Sequence, residues 1–307
     1  MLKTSEPFDG YFTVPKLLER NAREFSNSPA YREKEYGIWQ TWNWKQSEEE
    51  ITALANGLIS MGLEVGDKVA IIGRNRPALY WSFIAVQMVG AIPVPIYNDA
   101  VGDEIAYVLE HCGASFAIVG DQEQCDKLHD IKEKLPELTE VIYLDPRGLR
   151  KYDHSHLHSY KNVQNVGREV ANSQSVVLQK RLATQNQDTI CVMLYTSGTT
   201  GKPKGVVLTY KNVLSASRAA SSFDNLKVTD EILAYLPMAW VGDNIFSLAQ
   251  AYVISFCVNC PENPETVMTD LKEIGPTYYF APPAIYETVL TKVMIRMEDA
   301  GRIKRSM

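Results

Sequence analysis

The sequence predicts an α/β protein built on a parallel, doubly wound sheet, and three observations carry that prediction. Between residues 69 and 144, apolar strand-like runs alternate with segments of helical spacing. At 195–206 a loop rich in glycine, hydroxyls and lysine lies between two apolar runs and reads as strand, loop, strand. The chain of 307 residues is 45% hydrophobic and 22% charged, an ordinary globular composition with length for two cores.

The elements follow in order. Residues 13–25 place Val14, Leu17, Leu18, Ala22 and Phe25 on one helical face. The aromatic alternation at 36–44 predicts a hairpin strand pair. Ser47 followed by Glu48, Glu49 and Glu50 predicts a helix start. That helix faces inward with Ile51, Leu54, Ala55, Leu58 and Ile59 and ends near Gly62. Gly66 and Asp67 turn the chain into a strand at 69–72. Helices at 77–89, 102–111 and 122–135 then alternate with strands at 92–96, 116–119 and 141–144. Ligands of such sheets collect at the carboxyl ends of the strands. Residues 145–188 are polar and predict a solvated excursion. His154, His156 and His158 alternate there, without the carboxylate or cysteine cluster a metal clamp needs.

Thr209 reads as the cap of a helix through Ser222. A strand at 232–237 leads into Pro237-Met238-Ala239-Trp240-Val241-Gly242-Asp243 and a helix through Ala251. A strand at 252–258, a helix at 265–274, a short aromatic strand at 277–281 and a last helix opened by Pro282 or Pro283 complete the chain. Ile285, Val289, Val293 and Met297 set the register of that helix.

Composition also excludes classes of function. A net charge of −6 gives no support to nucleic-acid binding. No basic amphipathic stretch suits a membrane surface. The first ten residues carry no apolar signal region. The longest apolar stretch, 81–96, is broken by Ser82, Gln87, Gly90, Pro93 and Pro95 and is too short to span a bilayer. A cytoplasmic location is the default expectation. Five scattered cysteines suit a reducing compartment. Cys257 and Cys260 form a C-x-x-C, but nothing nearby completes a zinc site, so both are expected as buried or edge cysteines.

The loop concentrates Thr196, Ser197, Gly198, Thr199, Thr200, Gly201, Lys202, Lys204 and Gly205 in ten positions. Glycines let backbone N–H groups converge on one point, forming an anion nest. The four hydroxyls add donors and the two lysines add charge, so a polyphosphate is the fitting ligand. Walker, kinase and dinucleotide glycine patterns all fail on spacing: only two residues separate Gly198 from Gly201, and Pro203 follows Lys202. A flexible linker would gain nothing from flanking strands.

The stretch 195–206 resembles the phosphate-loop signature of the adenylate-forming superfamily, which includes the acyl-CoA synthetases, the luciferases and the adenylation domains of peptide synthetases. Further pieces resemble the first part of the large domain of a long-chain acyl-CoA synthetase. They are Thr41-Trp42, Gly66-Asp67-Lys68-Val69-Ala70-Ile71, Gly90-Ala91-Ile92-Pro93-Val94-Pro95 and Leu236-Pro237-Met238-Ala239. The resemblance implies two α/β sheet subdomains, one at 66–205 and one at 1–65 plus 206–307. The family's β-barrel subdomain and C-terminal domain lie beyond residue 307, so a fragment of the enzyme is expected.

By resemblance, such enzymes join a carboxylate to ATP, release pyrophosphate and pass the acyl group to coenzyme A. The loop residues would bind ATP, with Lys202 and Lys204 stabilising the leaving pyrophosphate and Thr199 as a magnesium ligand. Trp240 stands where the family often carries a histidine beside the acyl pocket, or is a packed core aromatic. Asp243 is the residue that could receive an α-amino group. The implied substrate is a carboxylic acid, in the first place a long-chain fatty acid. An aryl or amino acid and a non-catalytic nucleotide-binding remnant are the alternatives. An incomplete sheet core leaves apolar edges that favour association, as in a homodimer.

Overall fold

The computed structural model describes residues 10–196 and 202–298. Helix α1, Val14–Glu24, is capped by the Thr13 hydroxyl, which accepts from the Lys16 N–H. Strands β1, Pro29–Glu35, and β2, Ile38–Asn43, form an antiparallel hairpin. The strand pair expected at 36–44 is thus shifted: the chain turns at Tyr36 and Gly37, whose φ values are 51° and 75°. Two consecutive positive φ angles make the tight hairpin turn, and the first strand lies upstream.

Helix α2, Trp44–Ser60, starts before the expected Ser47. Asn43 accepts from the Gln46 N–H while the Gln46 side chain accepts from the Asn43 N–H, a reciprocal cap that outcompetes the serine. Ser47 is buried inside the helix.

The predicted alternation is realised as β3, Lys68–Ile72, α3, Pro77–Val89, β4, Ile92–Ile96, α4, Gly102–Cys112, β5, Ala114–Val119, α5, Gln122–Asp130, and β6, Glu140–Tyr143. Helix α5 is shorter than expected and continues as a 3₁₀ turn, Lys132–Lys134.

Residues 145–188 are not the solvated excursion that their polarity suggests. They hold β7, Leu157–Ser159, α6, Tyr160–Glu169, and α7, Ala171–Thr184. Each helix buries only a narrow stripe, including Tyr160, Val163 and Gly167 on α6 and Leu178 and Leu182 on α7. Of the three histidines, His158 pairs with Glu140 at 2.6 Å.

Strands β8, Ile190–Thr196, and β9, Lys204–Thr209, form the expected strand–loop–strand hairpin. Helix α8, Tyr210–Phe223, begins at its predicted Thr209 cap. Strand β10, Glu231–Leu233, is shorter than expected. A π-helical segment, Asp243–Ala249, runs into α9, Gln250–Ile254, so Tyr252 closes a helix rather than opening a strand. Ser255, at φ 73°, ends α9, and β11 is confined to Cys257–Cys260. Cys257 and Cys260 are buried free thiols, as expected.

Helices α10, Val267–Ile274, and α11, Pro283–Glu298, follow. The segment 277–281 contributes one bridge, Tyr278 to Ile232, not a strand. No residue of α11 is buried, and Tyr286, Leu290, Val293, Met294 and Ile295 are exposed, so its apolar stripe faces out.

The larger sheet is wholly parallel, in the order β4-β3-β5-β6-β7. A second sheet has the order β10-β11-β1-β2. Strand alternation feeds two cores. Val69, Ile71, Phe116 and Ile118 face one, and Ala70, Ile72, Ala117 and Val119 face the other. The first core continues through α1, α2 and α3 to Tyr31 and Val258 of the second sheet, so both sheets pack on one apolar layer.

Pro93 and Pro95 sit on an edge strand. The Ile92 N–H donates to the Asp67 carbonyl at 2.7 Å on the β3 side, so the missing proline donors fall on the other edge. Strand β8 lies along that edge, and Gln87 Nε2 donates to the Cys191 carbonyl at 2.9 Å. No helix among the described residues is long and apolar enough to cross a membrane.

Candidate active site

The strand order places a switch point between β3 and β5, where successive connections leave in opposite directions. Gly73 and Gly120 follow these two strands. A Cβ on Gly73 would stand 3.2 Å from the Gly120 backbone, so the chain needs glycine for this approach. Above them opens a cleft of about 640 Å³. Its walls come from the carboxyl ends of both sheets: Arg74, Asn75 and Arg76 after β3, Tyr97, Asn98 and Asp99 after β4, and Tyr235 and Met238 after β10. Tyr279 stacks on Tyr235 with ring centroids 5.6 Å apart and shares that wall. Charged, amide and aromatic groups thus converge on one concave surface of the size small-molecule sites need.

The two ends of the glycine- and lysine-rich loop are close together. Thr196 and Lys204 pair across the β8–β9 hairpin, as do Tyr195 and Gly205. A Cβ on Gly205 would lie 3.2 Å from the Tyr195 ring, which is the reason for glycine there. Thr196, Lys202 and Lys204 are exposed. Lys202 holds its Nζ 5.5 Å from the centre of the Tyr107 ring. Ser197, Gly198, Thr199, Thr200 and Gly201 lie outside the described residues.

Helix α4 takes both stems. The Tyr107 hydroxyl donates to the Pro203 carbonyl at 3.1 Å, and one turn later His111 Nδ1 meets the Tyr195 hydroxyl at 2.7 Å. The stems therefore rise toward the N-terminus of α4, which follows β4 at the rim where Tyr97, Asn98 and Asp99 line the cleft.

The other two candidate residues belong to a separate cluster. Trp240 stacks on Phe280 at 6.0 Å, and Phe280 stacks on Phe246 at 3.9 Å. A Cβ on Gly242 would press 2.3 Å from the Trp240 ring, so this glycine lets the indole lie flat on the chain. Asp243 is 1% exposed. Both of its oxygens accept from the Tyr80 hydroxyl at 2.9 Å, and Asn75 Nδ2 donates to it at 3.5 Å. Burial pushes its carboxyl up to about 7. Neither Trp240 nor Asp243 is among the residues that line the cleft.

The described residues contain no group of three or more His, Cys, Asp or Glu suited to a metal ion. Among the described residues the loop stems present one hydroxyl, on Thr196, and two exposed lysines, Lys202 and Lys204, with Thr196 paired to Lys204.

Sequence reasoning missed the Gly73-Arg74-Asn75-Arg76 wall, Gly120, Tyr107 and His111. A glycine followed by polar residues after a parallel strand was the available signal for the wall and for Gly120. Tyr107 and His111 carry no such signal, because only the packing of α4 on the hairpin gives them a role.

The sequence matches the model of a family described as AMP-binding enzyme over residues 18–306. It is 26% identical over 303 residues to the long-chain-fatty-acid–CoA ligase ACSBG2 of Xenopus laevis, covering 96% of this chain and 40% of that protein. The chain thus spans about 40% of the length of such curated relatives. Among solved structures, a long-chain-fatty-acid-CoA ligase (FadD1) from Archaeoglobus fulgidus superposes with a TM-score of 0.75 at 19% identity, covering 94% of this chain and 54% of the other. The anthranilate CoA ligase AuaEII, in complex with anthranoyl-AMP, gives 0.72 at 20% identity, covering 88% and 50%. These likenesses bear out the α/β fold expected of an acyl-CoA synthetase-like large domain. With a family match across nearly its whole length, the chain belongs to the AMP-binding enzymes.

Proposed function

We propose that this protein takes part in activating a carboxylic acid, in the first place a long-chain fatty acid, with ATP. A carboxylate oxygen attacks the α-phosphorus, the bond to pyrophosphate breaks, and acyl-AMP forms. The thiol of coenzyme A then attacks the acyl carbonyl and AMP leaves. The observation that carries this reading is the hairpin that pairs Thr196 with Lys204 and holds Lys202 over the Tyr107 ring of α4, the helix that follows the cleft-lining residues Tyr97, Asn98 and Asp99. We place the β- and γ-phosphates against these residues and the intervening 197–201, with Thr199 as the loop's ligand to the magnesium of ATP. The lysines counter charge that grows on the departing pyrophosphate. The division into subdomains 66–205 and 1–65 plus 206–307 belongs to the same reading.

A fatty acid is favoured over an amino acid because Asp243 is buried against Tyr80 and presents no free carboxylate to an α-amino group. Trp240, stacked on Phe280, then forms part of an apolar wall for the acyl chain. The likeness to an anthranilate CoA ligase keeps an aryl acid as the second reading.

Carboxylate-dependent ATP–pyrophosphate exchange across fatty, aryl and amino acids tests both. Exchange with fatty acids alone is expected. Exchange with an aryl acid alone would transfer the assignment, and MgATP binding without exchange would leave a nucleotide-binding remnant. Lys204→Ala is expected to weaken MgATP about tenfold, as loss of one charge-assisted contact would, with an unchanged melting temperature because the side chain is exposed.

A further inference from the structure

We propose that Tyr107 and His111 of α4 are positioning residues for phosphate capture, clamping the two stems of the loop and holding Lys202 ready. This rests on the reading of 195–206 as a phosphate loop. The two side chains are four residues apart on one helical face and stack on each other, with ring centroids 5.6 Å apart and planes at 27°. Each takes a different stem. Tyr107 donates to the carbonyl of Pro203, just after the loop. His111 meets the hydroxyl of Tyr195, just before it, and its ring stands edge-on to that tyrosine, 86° between planes.

Tyr195 is 8% exposed, and burial raises its hydroxyl well above the ordinary phenol range. It therefore stays protonated and keeps its hydrogen bond to Nδ1 of His111. Tyr195 still pairs with Gly205 in the β8–β9 ladder, which ends among the described residues at Thr196–Lys204, so His111 reinforces the last pairs and Tyr107 holds Pro203 just past them.

Tyr107 does a second thing. Its ring face lies under the Lys202 ammonium. A quadrupole holds a cation without neutralising it, and among the described residues Lys202 has no carboxylate within ion-pair distance to be drawn from when an anion arrives. A carboxylate in that place would compete with phosphate, whereas an aromatic face orders the side chain and leaves its charge available. Pro203 serves the same end: its fixed φ limits the freedom of the stem next to the lysine. Freedom of the Lys202 side chain and its stem that would otherwise be lost on binding is then already reduced in the free protein.

The test is calorimetric titration of MgATP, and separately of pyrophosphate, into the wild type, Tyr107→Phe, Tyr107→Leu and His111→Phe. Each variant is first checked by thermal melting. Tyr107→Phe keeps the ring under Lys202 and loses the bond to Pro203. Tyr107→Leu loses both. Expected are an affinity loss of about threefold for Tyr107→Phe and His111→Phe and about tenfold for Tyr107→Leu, the scale of one hydrogen bond and of a bond plus a cation–π contact. In ATP–pyrophosphate exchange the KM for MgATP should rise while that for the carboxylic acid stays, a split that general loss of structure would not produce.

A parallel reading needs no nucleotide. Acetylation of Lys202, followed by mass spectrometry, should be faster in Tyr107→Leu than in wild type, with Lys272 on α10 as the unchanged control. Variants that melt normally and bind MgATP as the wild type does would overturn the clamp alone. Unchanged Lys202 labelling would overturn the ring's part in it. A wild type that binds neither MgATP nor pyrophosphate would overturn the phosphate-loop reading, and the role of the clamp with it.

Discussion

A carboxyl group that is 1% exposed must be held by hydrogen bonds or surrender its charge, and Asp243 does some of each. Its partners among the described residues include the Ser247 and Tyr80 hydroxyls and the Asn75 amide. Cys260, the other titratable group facing it, is a thiol that burial keeps protonated. Desolvation therefore dominates and lifts Asp243 to about 7, against an ordinary value near 4 in the unfolded chain. The native state then binds a proton that the unfolded state has already released, so stability is full below about pH 4 and falls as pH rises toward 7. Asp243→Asn keeps an acceptor for Tyr80 and cannot ionise. It is expected to flatten the fall in melting temperature between pH 5 and pH 8, measured by circular dichroism. An equally steep fall in the variant would place the titrating group elsewhere.

At the scale of elements, α2 and α6 meet backbone to backbone. A Cβ on Gly167 would lie 1.8 Å from the Ala53 carbonyl oxygen and 2.7 Å from the Gly57 nitrogen, and one on Gly57 would lie 2.2 Å from the Val163 oxygen. Backbone cannot yield as a flexible side chain can. Gly167→Ala should thus cost about 1–3 kcal/mol in urea unfolding, although alanine would stabilise an isolated helix by about 1 kcal/mol. The sign decides between these effects, and a stabilised variant would mean that the helices do not touch. The same contact shows why the region 145–188 was illegible. A helix that packs through glycine and three or four side chains offers little apolar periodicity, whereas α3, buried on nearly all sides, was legible to the residue. Caps were legible where one candidate stood alone, as at Thr209, and not where Asn43 and Ser47 competed. The strand–loop–strand hairpin was legible because its two apolar runs and the polar stretch between them are contiguous in sequence. The cleft was not, because Arg74 and Tyr235 share a wall only once strand order is known.

For the molecule as a whole, the question is what couples the two sheets at the rim of the cleft, where the shared apolar core gives out. The turn after β3 supplies the answer with consecutive residues. Asn75 donates to the Leu236 carbonyl after β10 at 2.8 Å. Arg76, at the cap of α3, pairs through Nε with Glu33 and through Nη2 with Glu35 at 3.4 Å, both on β1. The Arg76 and Glu33 side chains are only 28% and 15% exposed. Burial raises the Glu33 carboxyl and Arg76 pulls it part of the way back. Removing the arginine alone strands a half-desolvated carboxylate, so Arg76→Ala should lose about 1–3 kcal/mol at pH 8. The sign with pH follows. Without Arg76 the folded pKa of Glu33 rises further above its unfolded value, so the deficit is largest where the group is ionised and shrinks as pH falls toward 5. Replacing both partners, Glu33→Gln with Arg76→Met, removes the stranded charge and should recover most of the loss. Urea unfolding of the wild type and the two variants at both pH values measures this. A double variant no better than Arg76→Ala, although methionine fills much of the same space, would show that the loss comes from the arginine's own bonds to Glu33 and Glu35 and not from a charge left stranded on Glu33.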